Sequence, residues 1–139
     1  MTRWNRKILL VDNDNDYRVV LALALELEGF TVLQAAGGDK ALEILSGECP
    51  DLIISDLEMR GIDGRALCGY VRGNGDLSDI PFVILSAFVD PNEPGNLGDL
   101  PADCFVSKQV PVAHLVEIIR DLLSGVYQRT HSGRIQVIE

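Results

Sequence analysis

A chain of 139 residues, 47% hydrophobic and 24% charged, has the size and make-up of one globular domain with a core of its own. A formal net charge of −9 excludes the basic stripe that would neutralise a phosphate backbone, so no direct nucleic acid binding is expected. No apolar run is long enough to span a bilayer, and no membrane association is expected.

In chain order, Lys7–Val11 (KILLV) is a short, continuously apolar run and predicts a strand buried on both faces. It stops at Asp12, too early for a secretory signal. The stretch VDNDNDYR then places aspartates at 12, 14 and 16. A calcium loop starting at Asp12 would need glycine sixth and an acid twelfth. Those positions hold Tyr17 and Leu23, so that reading fails. Asp14 is expected to cap the following helix and Asp16 to sit in its first turn. Leu21–Glu28 (LALALELE) alternates as a strand would, yet it is built from helix formers and is followed by Gly29, so a helix is expected. Tyr17, Val20, Leu21, Ala24 and Leu27 then share one face.

Thr31–Ala35 predicts the second strand and Asp39–Leu45 the second helix, ahead of Gly47. Leu52–Ser55 predicts a third strand, ending at Asp56. Arg65–Arg72 predicts a helix, Phe82–Leu85 a strand ending at Ser86, and Cys104–Ser107 a strand ending at Lys108. Pro111–Leu123 predicts a last helix, with proline in its first helical position. Between Ser86 and the fifth strand, Pro91, Pro94, Gly95, Gly98 and Pro101 disfavour a regular helix. Residues 125–139 carry no clear pattern and fit a linker stub, a tail or a docking strand. His131 is expected to be solvated there. Cys49, Cys68 and Cys104, odd in number and widely spaced, fit free thiols in a reducing, cytoplasmic setting.

Strand alternating with helix means a parallel sheet covered on both faces, with ligands outside the carboxyl ends of the strands. Asp12, Asp56, Ser86 and Lys108 stand at those ends. A carboxylate nucleophile, a cation, a hydroxyl and further acids suit phosphoryl transfer. The acids offer oxygen ligands to a hard cation such as Mg²⁺.

The stretches KILLVDNDNDYR, PDLIISDLEMRGIDG, IPFVILSA and FVSK, in that order and spacing, resemble the receiver domain of two-component response regulators, from about Lys7 to Leu123. The resemblance implies a doubly wound α/β fold: a five-stranded parallel sheet of flavodoxin-like order 2-1-3-4-5 with helices on both faces. The receiver domain would occupy 1–124 and a tail or linker stub 125–139. Asp56 matches the phosphoacceptor, and Lys108 the lysine that pairs with the phosphoryl group. Ser86 matches the hydroxyl that moves to bond it, and Phe105 the aromatic that packs inward with that shift. Asp12, Asp56 and the backbone carbonyl of Glu58 match the Mg²⁺ site. The implied donor is a histidine kinase or phosphotransfer protein, and the implied output a protein target or output domain. The only catalysis implied is self-phosphorylation and self-dephosphorylation.

The sequence departs from the family at Asn13, where a second acid is usual, at Arg60 and Gln109, where proline is usual, and around 90–101, where the fourth helix is short or replaced by a loop. Asn13 keeps an amide oxygen for Mg²⁺ but removes a charge, so weaker metal binding is expected. Phe88 could shield an acyl phosphate from water or pack as an ordinary loop residue. Two other readings stay open. One is a pseudo-receiver acting as a phosphorylation-independent interaction module. The other is a haloacid-dehalogenase-like phosphatase using Asp12, with Asp14 as general acid.

Overall fold

The computed structural model describes residues 6–87, 100–124 and 136–138, the last three by their backbone. Ten elements follow in order: β1 (Lys7–Val11), α1 (Asn15–Leu27), β2 (Thr31–Ala35), α2 (Gly38–Leu45), β3 (Leu52–Asp56), α3 (Gly64–Arg72), β4 (Phe82–Ser86), β5 (Cys104–Ser107), α4 (Val112–Ser124) and β6 (Gln136–Ile138). The sheet is parallel throughout, in the order β2-β1-β3-β4-β5-β6. Its first five strands stand in the expected arrangement. The added strand β6 pairs with β5, Cys104 opposite Gln136, and so satisfies backbone groups that β5 would otherwise present as a bare edge. The expected loop at 90–101 lies mostly outside the described residues, as do Phe88 and His131.

In β1, β3, β4 and β5 the apolar runs become strands because both faces are covered; the edge strand β2 exposes Thr31 and Gln34 and is only partly covered. Alternate residues of each strand enter opposite layers. Ile8, Leu10, Ile54, Val83, Leu85 and Val106 pack under α1 and α4, against Leu21, Leu25, Leu115 and Ile119. Leu9, Val11, Ile53, Ile84 and Phe105 pack under α2 and α3, against Ala41, Leu67 and Val71. Cys104 and Cys68 are buried, one in each layer. Burial pushes the Cys104 thiol up to about 12, so it is not a reactive thiolate. Cys49 is exposed.

Helix α1 forms where LALALELE predicts it, but its buried face is rotated. Leu21, Ala22 and Leu25 face the sheet, while Val20 and Leu27 are 56% and 81% exposed. Every position from Val19 to Leu25 is apolar, so packing rather than pattern selects the buried face, and the small Ala22 falls on it. At the sheet end remote from Asp12, Arg72 ties α3 to the entries of β4 and β5. It donates to the carbonyls of Pro101 (2.7 Å), Ser78 (3.1 Å) and Ile80 (2.7 Å) and to Asp103 Oδ2 (2.7 Å). That same carboxylate oxygen accepts from the Phe82 amide at 2.8 Å.

Candidate functional site

The register brings the strand exits level. Val11 pairs with both Ala35 and Ser55, Asp56 with Leu85, and Ser86 with Ser107. Asp12 and Lys108, one residue past β1 and β5, therefore stand at the same edge as Asp56 and Ser86. Strands β3 and β4 run one residue further than the apolar pattern indicates, because Asp56 and Ser86 still pair across the ladder. Polar end residues are thus held by strand backbone rather than by loops.

Asp12 is fully buried. Its amide donates to the Ala35 carbonyl (3.0 Å), and its own carbonyl accepts from Arg18 Nη1 (2.7 Å). Oδ1 accepts from the Asp14 amide at 2.9 Å. Oδ2 lies 2.8 Å from Lys108 Nζ, yet it is wholly buried and among the described residues has no aligned hydrogen-bond donor. Asp14 caps α1, its Oδ1 accepting from the Tyr17 amide at 3.1 Å, and Asp16 occupies the first turn.

The Lys108 ammonium also sits 3.5 Å from Asp56 Oδ2, so one cation serves two carboxylates. The backbone sets the lysine, its amide donating to the Ser86 carbonyl at 2.8 Å. Burial holds the Asp56 carboxyl above the usual range, the Asp12 charge adds to that, and Lys108 with a hydrogen bond from the Glu58 backbone opposes it. A cleft of about 170 Å³ opens above, lined by Asp56, Glu58, Ser86, Ala87 and Lys108.

The structure therefore brings Asp12, Asp56, Ser86 and Lys108 together, with Glu58 at the rim. Asn13 is exposed and does not line the cleft. Phe105 is fully buried in the α2–α3 layer, already packed inward.

Two contributors escape sequence reasoning. Gly64 begins α3 directly against β3: a Cβ there would meet the Asp56 carbonyl oxygen at 2.4 Å and Leu57 Cα at 2.9 Å. The bare glycine lets the helix start beside the backbone of Asp56. Its place just after Asp63, a capping aspartate whose side chain accepts from the Ala66 amide, is the only local signal. Tyr17 is the other. Its ring centroid lies 5.0 Å from Lys108 Nζ. Burial, then Asp12, Asp14 and Asp56, push its hydroxyl up to about 12. An aromatic on a helix face reads as core, which hides it in the sequence.

Among the described residues, no three His, Cys, Asp or Glu side chains are grouped to hold a metal. Mg²⁺, however, is commonly held by one or two carboxylates, with water completing its octahedron. The unaligned, buried Asp12 Oδ2 beside Asp56 fits that thinner ligand set.

A sequence profile of the response regulator receiver domain matches residues 8–120. A probable transcriptional regulator of Porphyridium aerugineum is 33% identical over 129 residues, 93% of this chain and 52% of that protein. The chain spans about half the length of the curated relatives it matches. The receiver domain of a Syntrophus aciditrophicus signal transduction histidine kinase is 35% identical, with a TM-score of 0.80, covering 91% of this chain and 96% of that one. The response regulator TrrA of Thermotoga maritima, described in complex with Mg(2+)-BeF, is 30% identical with a TM-score of 0.73, covering 84% and 98%.

Proposed function

Because the chain belongs to the response regulator receiver domain family, we propose that it accepts a phosphoryl group on Asp56 and passes the change on through protein contacts. The observation that carries this reading is one ammonium shared by two strand-end carboxylates, 2.8 Å from Asp12 and 3.5 Å from Asp56, beneath a cleft that Asp56 and Ser86 line. The donor is a phosphohistidine of a kinase or phosphotransfer protein. A carboxylate oxygen of Asp56 attacks phosphorus, the P–N bond breaks, and the imidazole leaves with the electron pair and takes a proton from solvent. Lys108 and the Ser86 hydroxyl face the charge on the phosphoryl oxygens.

Asp12, Asp56 and the Glu58 backbone carbonyl would hold Mg²⁺, with Asn13 offering at most a neutral oxygen. When bound, the ion neutralises charge on the transferring group. Ser86 and Phe105 form the switch of this reading; Phe105 already stands inward, so the report to a partner rests on the movement of Ser86. The reaction belongs in the cytoplasm. The net charge of −9 argues against DNA contacts by this chain itself. Relatives named as transcriptional regulators stand against extending that to a longer protein.

The phosphatase alternative is disfavoured, since Asp14, its general acid, is engaged as the cap of α1, and Asp56 rather than Asp12 lines the cleft. The exposed Asn13 favours one second reading, an interaction module that works without phosphorylation. Beryllofluoride with Mg²⁺ separates the two. The phosphoacceptor reading expects amide resonances of Ser86, Phe105 and Lys108 to move. A spectrum unchanged by the reagent supports the interaction module instead.

A further inference from the structure

We infer that Tyr17 is a positioning residue for Lys108: its ring holds the ammonium over the Asp12–Asp56 pair and so presets the cation that meets an incoming phosphoryl group. The inference rests on the phosphoacceptor reading and names a residue that the reading does not require.

Lysine is a strongly hydrated point charge on a flexible four-carbon stem, and it takes many positions unless its surroundings select one. Here the side chain is only 16% exposed, with carboxylate oxygens at 2.8 and 3.5 Å and the Tyr17 ring centroid at 5.0 Å. That lies within the range in which an aromatic face attracts a cation. The ring differs from the two acids in one respect that matters. Asp12 and Asp56 are needed elsewhere, Asp12 for a metal ion and Asp56 for the new O–P bond. Once engaged, each attracts the ammonium less. A neutral ring is not withdrawn from the lysine by either event, and it leaves the positive charge available to phosphoryl oxygens.

Local structure fixes the ring. Tyr17 lies in the first turn of α1, and its amide donates to the capping Asp14 at 3.1 Å. The stretch that supplies Asp12 to the pocket therefore also sets the tyrosine. Among the described residues the buried phenolic oxygen has no hydrogen-bond partner. The contact with Lys108 is made by the ring, not by the hydroxyl.

The test compares Tyr17→Phe with two ring-free variants, Tyr17→Met and Tyr17→Leu, so that loss of folding in one leaves the other to decide. The first readout needs no phosphorylation: the ring-current shift of the Lys108 ε-methylene in the NMR spectrum. It should be upfield in wild type and Tyr17→Phe and fall to the ordinary lysine position in a folded ring-free variant. The second is the rate of Asp56 phosphorylation by acetyl phosphate with Mg²⁺. It should drop about 2- to 30-fold without the ring and stay within about twofold in Tyr17→Phe, as expected for an exposed-to-desolvated cation–π contact. An unmoved Lys108 signal, or a ring-free variant phosphorylated as fast as wild type, overturns the inference. If wild type takes no phosphoryl group on Asp56, the phosphoacceptor reading fails and the NMR arm still decides whether the ring holds the lysine.

Discussion

Lys108→Met removes the charge that two buried acids share while keeping most of the aliphatic stem. At an effective dielectric of about 20, contacts of 2.8 and 3.5 Å correspond to roughly 6 and 5 kcal/mol of gross attraction. Desolvating the three groups offsets most of this. Breaking a buried pair by removing one partner costs about 3–5 kcal/mol. Lys108 is 16% exposed and so partly screened, which lowers the expected loss to about 2–4 kcal/mol near pH 7. The pH dependence carries a sign. The lysine lowers the Asp56 pKa, and burial raises it above the unfolded value. Without the lysine the folded-state value rises further. A carboxyl raised in the folded state destabilises above that value and ceases to do so once protonated. The deficit against wild type should therefore be largest at neutral pH and shrink as pH falls toward the ordinary carboxylate range, about 4. Urea denaturation at about pH 7 and pH 5, extrapolated linearly, measures it. Asp56→Asn in the Lys108→Met background should restore part of the loss, because it removes one of the two uncompensated acids. A variant as stable as wild type at neutral pH, or a deficit that grows on acidification, would refute the shared-cation account.

Asn13→Asp restores a charge beside the pocket and should tighten Mg²⁺ binding on the order of tenfold; equal affinities by calorimetry would show that position 13 does not feel the metal. Gly64→Ala places a methyl 2.4 Å from the Asp56 carbonyl oxygen, so it should cost about 1–3 kcal/mol in thermal or urea melts and slow phosphorylation by displacing Asp56. An unchanged melt and rate would mean that α3 shifts freely. Asp103→Ala strips Arg72 Nη2 and the Phe82 amide of their acceptor and should cost about 2–4 kcal/mol. A loss under about 0.5 kcal/mol would show that the remaining carbonyl contacts of Arg72 suffice.

Strands β1, β3, β4 and β5 are legible because buried parallel strands read as near-unbroken apolar runs, and the site is legible because those four runs end in Asp12, Asp56, Ser86 and Lys108. Helix faces are less legible. In LALALELE nearly every position is apolar or a good helix former, so composition gives the helix but not its phase, and Leu27 ends in solvent while Ala22 is buried. Strand β6 is three residues long, too short for periodicity to mark. Gly64 and Tyr17 escape for a different reason. Their roles are tertiary: one is a close approach of helix to strand, the other a ring over a lysine 91 positions away (108 − 17). Within VDNDNDYR, the alternating acids separate into a pocket acid, a helix cap and a first-turn charge. Cap chemistry foreshadows the last two, and the buried end of β1 supplies the first.

Mass mapping after incubation with acetyl phosphate and Mg²⁺, wild type beside Asp56→Asn, tests the phosphoacceptor claim most directly. One phosphoryl group on Asp56 in wild type and none in the variant is the predicted result. An unmodified wild-type chain, or a phosphoryl group found on Asp12 instead, would contradict it.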